Sequence, residues 1–273
     1  MSHTLHNGLI RALNRCGLLA RFSVTAVSNG LQIPIINGLG YSLLRNAEPW
    51  LDRTLARLLS LRPGVFLDVG VNIGQTLIKV VRADPEREYW GFEPNPSAIA
   101  YANALKDLNH LAHVHLVCAA LSCRDGTARL FLASDEDTTA SMIEGFRSAE
   151  FYRTHQTVAI VPGDDVVENE NIGAVSIVKI DVEGAEVEVL RGLQRTISRD
   201  RPFILCEVLP VYDEKTAIGQ MRRKRSDEVQ RLLHELDYGL VRLMPDGSSV
   251  PLRTIETHAD LNLSNYLFVP VQK

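Results

Sequence analysis

The chain has 273 residues, 45% of them hydrophobic and 23% charged, which suits one large α/β domain plus an extension and is short for two full domains. A formal net charge of -4 offers no electrostatic footprint for nucleic acid. Cys16, Cys118, Cys123 and Cys206 are scattered without a C-x-x-C pair, which argues against a zinc site or a disulfide framework.

Residues 1–60 read as an N-terminal helical extension. Leu5, Leu9, Leu13 and Leu18 fall near helical spacing, while Arg11 and Arg15 break any continuous apolar run, so this is a poor signal peptide. The charge-free stretch between Arg21 and Arg45 contains Asn29, Gly30, Gln32, Pro34, Asn37, Gly38 and Gly40 and is a poor membrane span; the cytoplasm is the expected compartment. Residues 32–41, QIPIINGLGY, read as a loop. Pro49-Trp50-Leu51 opens a helix that runs through Leu55, Leu58 and Leu59 and stops at Arg62-Pro63-Gly64. The leucines of the extension suit a lid or a homo-oligomer contact.

Residues 61–273 read as the main domain. Strands are expected at 65–70, 88–94, 113–121, 127–133, 157–162, 176–182, 202–208, 239–244 and 265–270. Helices are expected at 75–81, 97–105, 185–196 and 227–236. Strands alternating with helices predict a mostly parallel sheet covered on both faces. PDGSSVPL, rather than a helix, separates the last two strands, so a C-terminal antiparallel hairpin should close a seven-stranded sheet. Residues 127–162 look like an inserted strand pair around the polar loop DEDTTASMIEG, whose Asp135, Asp137, Thr138, Thr139 and Ser141 could cap a ligand.

The first strand delivers Asp68, the chain turns at Gly70, and a helix starts near Gly74. Glu93 ends the second strand, eighteen residues after Gln75. Gly70 permits a backbone closed to other residues, and free N–H groups at the helix start suit an anionic group. The run Gly70-Val71-Asn72-Ile73-Gly74 departs from G-x-G-x-x-G: Asn72 stands at the middle glycine and the spacing is one residue short. Asn72 would obstruct a pyrophosphate. Asn72 and Gln75 suit instead the amino-acid end of a phosphate-free nucleoside such as S-adenosylmethionine, with Asp68 meeting its ammonium directly or through water. Glu93 is placed to accept from both ribose hydroxyls.

A second cluster follows. Along residues 175–184 alternation puts Ile177, Lys179 and Asp181 on one face. A lysine in a central strand needs a partner, and Asp181 and Glu207 can supply it. Ligands collect outside the carboxyl ends of strands, where Asp68, Glu93, Asp181 and Glu207 all fall. Asp181, Glu183 and Glu207 are candidates for a general base or for ligands of a divalent metal, and Lys179 for steadying an alkoxide. Asp181 and Glu183 also precede a helix, where acids are favoured for purely structural reasons. His155 reads as a surface residue, with a base as the alternative, and the basic run Arg222–Arg225, set before Ser226 as an N-cap, reads as a solvated loop, with a phosphate clamp as the alternative.

The motifs DVGVNIGQ, GFEPNP, AALS, VKIDVEGAEVEVLRGL and RPFILCEV together resemble the FkbM-type methyltransferase family across residues 65–208. The resemblance implies a Rossmann-like class I methyltransferase fold and S-adenosylmethionine as cofactor. It also implies O-methylation of a sugar or another hydroxylated metabolite, as in polysaccharide biosynthesis. By the same resemblance Asp68, Gly70, Asn72, Gly74, Gln75, Glu93 and Ala120 line the cofactor pocket. The competing readings are a nicotinamide-dependent oxidoreductase, which the short turn disfavours, and a non-catalytic partner protein of the same fold.

Overall fold

The computed structural model describes residues 7–45, 47–133, 140–148 and 150–271. It begins with helix α1 (Asn7–Arg15), antiparallel strands β1 (Ser23–Ser28) and β2 (Leu31–Ile36), and helix α2 (Pro49–Leu61). The extension is therefore not helical throughout, and the stretch read as a loop is strand as far as Ile36. Asn29 and Gly30, at φ 49° and 84°, make the two-residue turn that a hairpin requires. Ile33 and Ile35 are fully buried, and that burial outweighs the loop signal of the Pro and Gly residues around them.

The main domain then runs β3 (Val65–Val69), α3 (Gln75–Ala83), β4 (Tyr89–Phe92), α4 (Pro96–Leu108), β5 (Val114–Val117), β6 (Ala120–Ser122), β7 (Gly126–Leu132) and β8 (Thr154–Pro162). It continues α5 (Gly163–Asn169), β9 (Val175–Ile180), α6 (Glu186–Gly192), α7 (Gln194–Asp200), β10 (Phe203–Glu207), α8 (Ala217–Glu235), β11 (Tyr238–Leu243), β12 (Ser249–Leu252) and β13 (Asn265–Pro270). The large sheet has the order β12-β11-β13-β10-β9-β3-β4-β5. Pairings from β5 to β10 are parallel; β13 enters antiparallel between β10 and β11.

The sheet is thus eight-stranded and mixed rather than seven-stranded and mostly parallel. The additional strand comes from PDGSSVPL itself. Gly247, at φ 85°, turns the chain and lets β12 pair with the otherwise open edge of β11. Strands β6, β8 and β7 form a separate small sheet, in which β7 and β8 are the expected inserted pair.

Two helices differ from the sequence reading. The stretch 185–196 divides at Leu193, because the Asp164 carboxylate accepts from the backbone N–H of Arg195 and Thr196 at 2.8 Å each and starts α7 afresh. Helix α8 begins at Ala217, capped by Thr216 Oγ accepting from Gly219 N at 3.0 Å, so Ser226 and the preceding basic run lie inside it. Among the described residues no helix is long and apolar enough to cross a membrane.

Each face of the large sheet buries its own core. Phe66, Tyr89, Ile177 and Leu205 pack with α2, α3, α4 and the hairpin of the extension. Leu67, Val178, Ile204 and Cys206 pack on the other side with α6, α7 and α8. Strand alternation carries this division to the sheet's C-terminal edge. Asp68, Lys179 and Glu207 lie two residues beyond Phe66, Ile177 and Leu205, on the side the extension covers.

Gly70 fixes how closely the edge can assemble. It sits at φ 92°, its N–H donates to Phe92 O at 2.9 Å, and a Cβ there would lie 1.9 Å from the Asp181 carbonyl oxygen. Gly70→Ala should therefore destabilise the fold by about 3 kcal/mol or more in chemical denaturation. Gly239→Ala, where the nearest atom to a Cβ would be 3.8 Å away, should cost under about 1 kcal/mol. Equal effects would refute this role for Gly70.

Candidate active site

A cavity of about 270 Å³ opens at the C-terminal ends of β3, β4, β9 and β10. Gly70, Asn72 and Gln75 of the first turn line it, with Glu93 from the end of β4 and Ala120 from β6. Lys179, Asp181, Glu183 and Glu207 line it from the other side. The two groups read separately from the sequence thus share one crevice.

On the β4 side, Glu93 is 8% exposed. Its Oε2 accepts from Asn72 N at 2.9 Å and its Oε1 from Asn95 N at 2.8 Å, which leaves lone pairs on both oxygens for a ligand. Burial pushes its pKa up to about 7 against the opposing pull of those two N–H groups. Asn72, at φ 53°, takes the left-handed backbone, and its Oδ1 accepts from Ile73 N at 2.8 Å. Gly74 is not among the lining residues. A Cβ on it would meet Leu105 at 3.1 Å, so this glycine serves the packing of α3 on α4.

Asp68 departs furthest from the sequence reading. It is fully buried behind the crevice rather than facing it. Tyr89 Oη donates to Asp68 Oδ2, and Lys179 Nζ stands 3.8 Å from Oδ1. Burial raises its pKa to about 6, against the lowering effect of Lys179 and the Tyr89 hydroxyl. The residue anchors the lysine and the floor of the site.

Lys179 Nζ donates to Asp181 Oδ2 at 3.0 Å. Burial alone would lower the ammonium's pKa, but the charges of Asp181 and Asp68 outweigh it and the net shift is upward. Asp181 keeps 37% of its side-chain area open. Burial would raise its pKa, yet Lys179 and a hydrogen bond from Glu207 hold it below the usual range. Glu207 moves the opposite way: burial, then the Asp181 charge, raise it to about 9. Its Oε1 lies 3.0 Å from Ser264 Oγ, a fully buried hydroxyl at the start of β13. At neutral pH the pair therefore divides into an ionised Asp181 and a protonated Glu207.

Glu183, at φ 50°, pairs with Arg147 at 2.6 Å, and Ser141 Oγ donates to the Glu183 carbonyl at 2.6 Å. Burial lifts the Glu183 pKa to about 7, with Arg147 opposing. The insertion thus reaches the site through Ala140, Ser141, Met142 and Arg147. Asp135, Asp137, Thr138 and Thr139 lie outside the described residues, as does Leu5.

Arg147, Ala47, Glu48 and Lys79 were not anticipated. Arg147 carries no local motif. The one sequence signal for the others was Lys79, a lysine on the apolar side of α3 that had to find acceptors. It donates to Ala47 O at 2.8 Å and Asp52 Oδ1 at 2.9 Å, which draws the extension onto the crevice. His155 stays exposed on β8 near Phe131. Arg222 of the basic run is buried, donating to Pro210 O and Phe146 O at 3.0 Å each, so it braces the wall and is not solvated surface. For a divalent metal, no group of three or more His, Cys, Asp or Glu among the described residues could hold the ion. Lys179 already balances the carboxylates there.

The family model described as Methyltransferase FkbM domain matches residues 68–240. The chain is 27% identical over 226 residues to the 31-O-demethyl-FK506 methyltransferase FkbM of Streptomyces tacrolimicus, spanning 71% of this chain and 83% of that protein. It is 30% identical over 91 residues to the hexuronic acid methyltransferase AglP of Haloferax volcanii, a match that spans 33% of this chain and 38% of that one. Among solved structures, a Staphylococcus aureus protein assigned as a caffeoyl-CoA O-methyltransferase shares the fold, with a TM-score of 0.50 and 11% identity over 82% of this chain and 85% of that one. These relations overturn the nicotinamide-dependent alternative. The protein is a methyltransferase, and its chain belongs to the FkbM methyltransferase family.

Proposed function

We propose that the protein transfers a methyl group from S-adenosylmethionine to a hydroxyl of a saccharide or another hydroxylated metabolite. The observation that carries this reading is a single crevice with a ribose-competent carboxylate, Glu93, on its β4 side and an ionised carboxylate, Asp181, on its β9 side. The residues present fit the cofactor. Both Glu93 oxygens retain lone pairs for ribose hydroxyls, and Asn72 occupies the place where a pyrophosphate would need bare backbone. Bound S-adenosylmethionine supplies an electrophilic methyl group on a sulfonium, transferred by in-line displacement.

The chain's own residues supply orientation and proton handling. Asp181 is the ionised and open carboxylate, so it takes the proton of the acceptor hydroxyl. Lys179 keeps Asp181 ionised and offers a positive charge to the oxygen as its proton leaves. Glu207, protonated, donates to Asp181 and holds its orientation rather than acting as base. Glu183 and Arg147 form a charged pair at the rim, suited to the polar groups of a sugar. The relatives named as methyltransferases of a hexuronic acid and of 31-O-demethyl-FK506 support a hydroxylated acceptor.

In calorimetry, S-adenosylmethionine affinity should rise with pH up to about 7, because Glu93 must release the proton that burial favours before it can accept from both ribose hydroxyls. Glu93→Gln should weaken binding at pH 8 by roughly tenfold or more, about 1.4 kcal/mol, and flatten that pH dependence. Unchanged affinity would remove the ribose role.

Asp181→Asn should lower kcat by about 100-fold or more, read as S-adenosylhomocysteine formed with an acceptor found by screening. Its cofactor affinity should stay within about threefold of wild type. Full turnover in this variant would sink the base assignment.

A further inference from the structure

Asp68, the carboxylate first assigned to the ammonium of S-adenosylmethionine, is sealed behind the crevice and bound to Tyr89 and Lys179. Another carboxylate occupies the place it was expected to fill. Glu48 precedes α2 and lines the crevice together with Gln75 and Thr76 of the first turn of α3. We infer that Glu48 receives the ammonium of the cofactor's methionine end, so that the segment preceding the sheet completes the cofactor site.

Position supports this assignment. In the sheet order β9-β3-β4, Glu93 marks the β4 side of the Gly70 turn. The charged neighbours of Glu48 include Lys179 and Asp181, at the end of β9, so Glu48 marks the other side. A ligand whose ribose meets Glu93 and whose chain crosses Gly70 brings its amino-acid end toward Glu48.

The backbone is held for the purpose. Glu48 adopts φ 58° and ψ 62°, a left-handed conformation rarely taken by a glutamate, which persists only where surroundings enforce it. Lys79 of α3 enforces it by donating to Ala47 O at 2.8 Å and Glu48 O at 3.3 Å, while Leu51 N donates to Glu48 O at 3.0 Å. The same helix that opens the cofactor turn therefore sets the position of Glu48.

Chemistry completes the case. The Glu48 carboxylate, on the open side of the crevice, enters no hydrogen bond or ion pair with a described residue. A primary ammonium would pair with it through charge-assisted hydrogen bonds, and a cationic ligand suits a crevice lined by Glu93, Asp181 and Glu183.

The inference rests on S-adenosylmethionine being the cofactor, and the test separates the two. The full chain and its Glu48→Gln, Lys79→Met and Glu93→Gln variants are titrated by calorimetry with three ligands. These are S-adenosylmethionine, S-adenosylhomocysteine and 5′-methylthioadenosine, which has the nucleoside but no amino-acid end. Glu48→Gln should weaken the first two by roughly tenfold and leave the third within about twofold. Glu93→Gln should weaken all three. Lys79→Met, which frees the segment, should reproduce the Glu48→Gln pattern without matching Glu93→Gln. Equal losses for all ligands in Glu48→Gln, or no loss for any, would overturn the assignment while leaving the cofactor intact. Failure of wild type to bind any of the three would overturn the cofactor reading and the inference with it. Thermal melting of Glu48→Gln, an exposed and nearly isosteric change, confirms that a lost affinity is not lost folding.

Discussion

Among the described residues one ammonium, that of Lys179, serves the carboxyl groups gathered where β3, β9 and β10 end, and the site depends on how its charge is shared. The β3–β9 register sets Lys179 opposite Asp68, and Lys179 reaches forward to Asp181. Asp68, Asp181 and Glu207 outnumber that single positive charge. Neighbouring carboxylates in a region of low dielectric cannot all ionise, so protons are retained where the lysine is least effective. Asp181, in direct contact, stays ionised, whereas Glu207, turned toward Ser264, holds its proton. Contact with Lys179 lowers Asp181, while burial and the Asp181 charge keep the proton on Glu207, a division that suits the base and donor roles proposed for them.

The surrounding architecture brings the carboxylates to the lysine. Gly70 brings its turn against the Asp181 carbonyl, and the N–H of Asp181 donates to Val69 O at 2.9 Å, so β3 and β9 are joined past the end of their ladder. Two segments outside the alternating αβ core then close the crevice. The insertion contributes Arg147 to Glu183 and the Ser141 hydroxyl to the Glu183 carbonyl. From the opposite face the extension contributes Ala47 and Glu48, held by Lys79. The parallel strands of the mixed sheet provide the acids, and these additions decide what reaches them.

Much of this was legible in the residues, and the failures share a cause. Alternation within 175–182 correctly put Lys179 and Asp181 on one face, and the match of DVGVNIGQ with Glu93 correctly joined two strand ends. A place at a strand end before a glycine turn says nothing of depth, which is why Asp68 was read as meeting the cofactor's ammonium when Tyr89 and Lys179 enclose it. Local capping signals were similarly ambiguous. Thr216 and Ser226 are both good caps, and the burial of Arg222 among Pro210, Phe146 and Tyr212 favoured the longer helix. The hairpin of the extension was obscured by Pro34 and its glycines, whose turn chemistry is equally common in loops.

The sequence by itself determined the class of fold, the first turn and the acids that mark the strand ends. Those features follow from period-two burial and from turn residues only a few positions apart, so neighbours in the chain suffice to specify them. Only the tertiary structure decided which acids face the crevice, which of them keep their protons, and that a segment before the sheet reaches the site. Each of those outcomes turns on distances between groups far apart in the chain, such as Lys179 to Asp68 or Lys79 to Ala47, and on burial that no local pattern encodes.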